Sequence, residues 1–145
     1  MPTELGRPYD IAWRGDPPHM LTPDIPVWYR FLEAYGSLFD FIYYDVAVGG
    51  PYLSPAEQKD PMQRMYRRNL VKRIDAVAQL PTETWIIEVS SDPGLRAIGQ
   101  LISYQTLWKL DPKLDNPETL VLVSDTIEQD LLTVAGSYHI QCYII

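Results

Sequence analysis

Cysteine is almost missing from this chain: Cys142 stands alone, so no internal disulfide can form. Histidine is nearly as scarce. With only His19 and His139 beside that one cysteine, the ligands for a zinc site of the usual kind are not there. No apolar run approaches the ~20 residues of a membrane-spanning helix, so no membrane partner is expected. The first residues lack a charged segment followed by an apolar one, and the expectation is cytoplasmic synthesis without a secretory leader. Basic residues are outnumbered, 12 Lys and Arg against 19 Asp and Glu. The resulting charge of −7 argues against broad nonspecific attraction to nucleic acid, which depends on neutralising phosphates.

What is present is a folding composition. Hydrophobic residues make up 46% and aromatics 12% of 145 residues, enough for one domain with a real core and too much for a disordered chain. No internal repeat or low-complexity segment is visible. Proline gathers at the start: Pro2, Pro8, Pro17, Pro18, Pro23 and Pro26 forbid regular helix or sheet there. Residues 1–26 are therefore read as an extended arm, and residues 27–145 as a single domain. The arm also carries Trp13, Met20, Leu21 and Ile25, an apolar set large enough to mark an interaction site if it hung free. The expectation is that it docks on another protein subunit.

Hydrophobic periodicity places the elements. Val27 to Phe39 reads as an amphipathic helix, with Asp24 or Pro26 near its start and Gly36 near its end. Phe41 to Val48 alternates as a strand with Ile42, Tyr44, Val46 and Val48 on one side, stopped by Gly49-Gly50-Pro51. Ser54 to Asn69 reads as a loop and a helix interrupted by Pro55 and Pro61. Two strands follow, Leu70 to Ala78 and Trp85 to Ser90, joined by a short turn containing Pro81. Leu95 to Lys109 is a helix with apolar positions at Leu95, Ile98, Leu101, Ile102 and Trp108, and with Arg96, Gln100 and Tyr104 four apart on its other side. A strand over Thr119 to Val123, a helix over Thr126 to Ala135 and a strand over His139 to Ile145 complete the chain. This order describes an α/β layered sandwich with a central mixed sheet.

The chemistry concentrates between Arg73 and Tyr104. Strand alternation puts Glu88 and Ser90 on the face of Ile86, opposite Trp85, Ile87 and Val89. A carboxylate in so apolar a strand needs a cation, a donor or water, since burying it unpaired costs several kcal/mol. Asp75 lies on the preceding strand, where it can converge with Glu88 on one hard cation, or where both can be solvated strand-end charges. Magnesium suits such a pair, because it takes oxygen ligands and keeps several waters.

The segments I-D-A-V-A, W-I-I-E-V-S and A-I-G-Q-L-I-S-Y resemble the D…ExK…Q signature of the PD-(D/E)XK, or restriction-endonuclease-like, superfamily, in the form found in phage and mobile-element proteins. The resemblance spans Val27 to Ser124. It implies a restriction-endonuclease-like sandwich, Asp75 and Glu88 as ligands of a magnesium ion, and Gln100 as the polar helix residue beside them. Glu33 matches an accessory acid of the first helix. One position departs: Ser90 stands where the superfamily has a lysine that activates the attacking water and stabilises transition-state charge. Arg96 is the stand-in on the helix, and its alternative reading is an ordinary exposed arginine.

Arg64, Arg67, Arg68, Lys72 and Arg73 crowd five of the 12 basic residues just ahead of Asp75. They can form a phosphate-binding patch, a docking surface for an acidic partner, or a solvated helix end. Two functional classes stay open. One is a catalytically degenerate nuclease-fold protein serving as an interaction or structural module, as in a phage particle. The other is a magnesium-dependent DNA endonuclease that uses Asp75 and Glu88 with Arg96 in place of the lysine.

Overall fold

A computed structural model describes residues 2–145. Five strands form one open sheet in the order β1 (Phe41–Val48), β2 (Lys72–Gln79), β3 (Thr84–Ser90), β4 (Glu118–Ser124), β5 (Gln141–Ile144). The first three run antiparallel and the last two join in parallel, so the sheet is mixed. Parallel neighbours need a crossover. Helix α3 (Leu95–Leu110) links β3 to β4, and α4 (Gln129–Ser137) links β4 to β5. Two crossovers of the favoured right hand stepping the same way along a sheet put both helices on one face. Leu101, Trp108, Leu131 and Ala135 accordingly pack with Ile86, Leu120 and Leu122. Helix α1 (Ile25–Tyr35) covers the other face through Val27, Trp28, Phe31 and Leu32, against Ile87, Val89, Val121 and Val123. The chain is a three-layer α/β sandwich. Among the described residues no helix is long and apolar enough to cross a membrane.

Several boundaries shift for physical reasons. The first helix was expected to reach Phe39, but it stops at Tyr35 and tightens into a 3-10 turn over Gly36–Leu38. The broken segment before β2 resolves into a short 3-10 turn and α2 (Pro61–Leu70), capped by Asp60, whose carboxylate accepts the Met62 N–H at 2.9 Å. Leu95, expected on the apolar side of α3, is exposed, while Tyr104 from the polar side is buried. Val46 and Val48 pack in the α3-side cluster, whereas Ile42 and Tyr44 pack in the α1-side cluster. The break falls at Asp45, whose φ of 51° is left-handed, a conformation uncommon for a residue with a side chain.

The arm lies along its own domain. Glu4 bridges Ala47 and Tyr9 bridges Ile42, both antiparallel, so residues 4–9 add two bridges to the free edge of β1. Trp13 packs on Tyr9 and Tyr44 with ring centres 4.6 and 5.7 Å away. Met20 is buried and Ile25 partly buried in the α1-side core, which leaves Leu21 as the exposed member of the expected apolar set. The contacts assigned in advance to a neighbouring subunit are, for three of those four residues, made within the chain.

Candidate active site

Beyond the pair Ala76↔Ile87, the antiparallel ladder between β2 and β3 opens. Continued one step, its register sets Asp75 opposite Glu88. In place of the ladder, the Asp75 carboxylate accepts the Val89 N–H at 2.8 Å, so a side chain fills the gap left by the parting strands. Glu88 is buried and accepts a hydrogen bond from the Tyr104 hydroxyl at 3.3 Å. The two carboxyl groups are neighbours close enough for the charge on one to act on the other. They share a pocket of about 350 Å³ that also takes in Ser90, Arg96, Gln100 and Tyr104.

Helix geometry explains the far wall. Arg96, Gln100 and Tyr104 are spaced at four-residue intervals, which stacks them on one stripe of α3. That stripe faces the parted ends of β2 and β3. Tyr104 sits deepest, Gln100 is half-buried, and Arg96 is exposed at the rim. Asp75, Glu88, Gln100, Arg96 and Ser90 all line this one pocket. Glu33 is not among them: it is exposed on α1, 3.4 Å from Arg14.

Burial and mutual repulsion dominate the electrostatics. Desolvation, then the negative charge of Asp75, pushes the Glu88 carboxyl up to about 9. Asp75 is pushed up to about 6, mainly by burial, with the Val89 N–H pulling the other way. The pair therefore titrates as a unit, ionisation of one carboxyl opposing that of the other. Burial and then the charges of Glu88 and Asp75 also raise the Tyr104 phenol, keeping it a hydrogen-bond donor. Among the described residues no lysine or arginine forms an ion pair with either carboxyl.

Four further polar residues line the same pocket: His19, Asp24, Asp45 and Arg73. Asp24, read as a helix-start residue, makes no cap; its Oδ1 instead accepts the Ser91 N–H at 2.8 Å and holds the exit of β3. Asp45 is gripped by Arg73 at 2.8 Å and lies 3.4 Å from His19. One signal for Asp45 was in the sequence, since a single acid inside an apolar strand is the same feature that singled out Glu88. His19 had no such signal, for it reaches the pocket through a left-handed bend of the arm at φ 59°.

The basic cluster divides. Arg67 is buried, with its guanidinium donating to the carbonyls of Gly49 at 2.8 Å, Pro51 at 3.3 Å and Pro2, and it also meets Glu4 at 3.5 Å. It is a staple between α2, the Gly49–Pro51 turn and the arm, which corrects its placement in a surface patch. Arg64, Arg68 and Lys72 are exposed, and Arg73 belongs to the carboxylate pocket. Among the described residues no three His, Cys, Asp or Glu side chains gather as a metal cage.

Comparison with protein families, with curated proteins and with solved structures returned no match for this chain.

Proposed function

We propose that this chain is a nucleic-acid-binding domain of the restriction-endonuclease-like kind, which holds a divalent cation on Asp75 and Glu88 and hydrolyses phosphodiesters slowly. The observation that carries this reading is the carboxyl pair, Glu88 buried and Asp75 half-buried beside it, with no cationic side chain among the described residues in an ion pair with either. Two such groups destabilise the fold once both ionise, and a bound cation removes that cost. Their donor set fits magnesium, which is commonly held by one or two carboxylates with waters and substrate phosphate completing the shell. When bound, such an ion supplies Lewis-acid polarisation of a phosphoryl oxygen.

The chain's own residues do the rest. The Val89 N–H and the Tyr104 hydroxyl fix the two carboxyls, so neither must reorganise on binding. Gln100 presents an amide to the pocket, and Arg96 a guanidinium at its mouth. Ser90 offers a hydrogen bond but no charge. Losing one preorganised electrostatic donor typically costs about 10²–10³ in rate, hence slow hydrolysis.

Thermal unfolding with added Mg²⁺ or Mn²⁺ tests the reading. A cation at about 100 times its Kd should stabilise the fold by about 2.7 kcal/mol, and the double variant Asp75→Ala/Glu88→Ala should lose the response. Plasmid nicking should be weak in the wild type and stronger in Ser90→Lys. A second reading keeps the scaffold as an interaction or structural module of a phage particle. It draws on Ser90 and requires neither a metal response nor nicking in any variant.

A further inference from the structure

Next to the carboxylate pocket runs a second depression, about 270 Å³, walled by the arm on one side and α2 on the other, with Tyr44 and Ala47 of β1 below. The two cavities share Pro18, Asp45 and Arg73, so they lie side by side with the Arg73–Asp45 ion pair at their boundary. Arg73 also lines a wider hollow on the far side of Arg64 and Arg68, where Lys59 is added. In a chain of net charge −7, the cleft between the arm and α2 collects arginines. Arg7, Arg64 and Arg68 face it, are exposed, and take part in no ion pair among the described residues. The acids here, Glu4 and Asp45, are already matched by Arg67 and Arg73.

Aromatic surface accompanies the charge. The Arg7 guanidinium lies 3.8 Å from the centre of the Tyr9 ring, which stands edge-on to Tyr44 at 5.0 Å. Both tyrosines line the groove. Tyr44 is buried and Tyr9 half-buried beneath Arg7, so the flat surface open to the groove is the exposed Arg7 guanidinium lying on the Tyr9 ring. Exposed arginines of this kind suit a ligand of repeated anions and flat apolar bases, the pattern by which single strands are held. A groove of this volume is at the small end of ligand pockets, whereas a duplex presents a major groove alone about 12 Å wide. An acidic peptide would meet the charges but has no flat base to lie on the Arg7 guanidinium plane.

We infer that a single nucleic-acid strand is the ligand, threaded between the arm and α2 past Arg7, Arg64 and Arg68 and delivered by Arg73 to the carboxylate pocket. The inference rests on the reading of that pocket as a phosphodiester site. It gives the arm a role of its own: it forms a wall of the channel.

Fluorescence anisotropy of the full chain with a labelled single strand, the matching duplex and polyglutamate as competitor tests this, with Ca²⁺ present. The single strand should bind at least about tenfold more tightly than the duplex, the effect of one stacked base. Arg68→Glu and Lys72→Glu change net charge equally, yet Lys72 lines none of these hollows. Arg68→Glu should weaken strand binding and lower the salt slope by about 0.7, one phosphate contact, while Lys72→Glu should leave both close to wild type. Arg7→Ala should weaken binding as well. Equal binding of strand and duplex, equal effects of the two charge reversals, or displacement by polyglutamate as readily as by unlabelled strand would each overturn the inference. The metal-dependent thermal shift of the same variants separates the two ideas. If it persists while strand preference fails, the cation site stands without the channel; strand preference without any metal shift removes the cation site instead.

Discussion

Two buried charge centres lie near each other in this molecule, and they are built in opposite ways. Around Arg67 every lever is stabilising: carbonyls of Gly49, Pro51 and Pro2 and the Glu4 carboxylate surround one guanidinium. Around Glu88 the charges are alike, with Asp75 beside it and a neutral hydroxyl from Tyr104 as its donor. A buried ion is tolerated when its hydrogen-bonding capacity is met, and is costly when it is not. The first centre ties a turn, a helix and the arm together. The second leaves a deficit for something else to fill, which is the mark of a site.

Breaking the first centre should have the largest effect. Arg67→Ala removes the shared donor and leaves its acceptors buried, at a cost of about 3–5 kcal/mol, read from the urea unfolding midpoint. Unchanged stability would mean that the guanidinium staples nothing.

The second centre should reveal itself through pH. Both carboxyls have folded values raised above their ordinary range, so the folded state binds more protons than the unfolded one above pH 4. Their contribution is fully present below that point and is lost as pH rises through about 6 and then about 9. Each unit of displacement corresponds to about 1.4 kcal/mol, and allowing for relaxation of a partly hydrated pocket the loss between pH 5 and pH 9 should be about 3 kcal/mol. Asp75→Asn/Glu88→Gln should flatten that slope and be more stable than wild type at pH 9. A wild-type profile that is flat, or that rises over this range, would show the pair to be solvated.

The smallest effect sharpens the first centre. Gly50 has φ 75°, and a Cβ there would come within 2.7 Å of Val71 Cγ1 and 2.9 Å of the Arg67 guanidinium. Gly50→Ala should cost about 2 kcal/mol through the left-handed strain and the overlap together. In the Arg67→Ala background the part due to the guanidinium should disappear, which a double-mutant cycle would resolve.

The carboxylate centre was largely legible in the sequence and the arginine centre was not. Glu88 announces itself because strand alternation is a local rule, and Asp75 follows from one tight turn between adjacent strands. Gln100 and Arg96 follow from helical spacing. β1 and α3 were readable as elements for the same reason, although the faces of β1 exchange at Asp45 and Tyr104 of α3 turns inward. Arg67 was misread because its helix shows three arginines in five positions, and nothing local says which of them turns inward. That choice is made by carbonyls of Gly49 and Pro51, 16–18 residues away, and of Pro2, 65 away. Asp45 and His19 escape for a related reason: both sit at left-handed bends, where side-chain direction no longer follows the period. α4 begins at Gln129 rather than Thr126, because the chain stays extended as far as Glu128, whose ψ is 144°.

The arm's two bridges have a consequence for how this protein keeps to itself. A sheet ends in a strand whose outward N–H and C=O groups can recruit a strand from another molecule, the first step of edge-to-edge aggregation. Here β1 would be such a strand, eight residues long and rich in Ile, Tyr and Val. Glu4 and Tyr9 occupy the backbone groups of Ala47 and Ile42, and the chain between them carries Gly6 in a left-handed bend and Pro8, which has no N–H to offer. That outer rim cannot continue the ladder in register. The opposite rim, β5, is only four residues long. The same residues that wall the cleft thus serve as a selvedge that stops the sheet from growing.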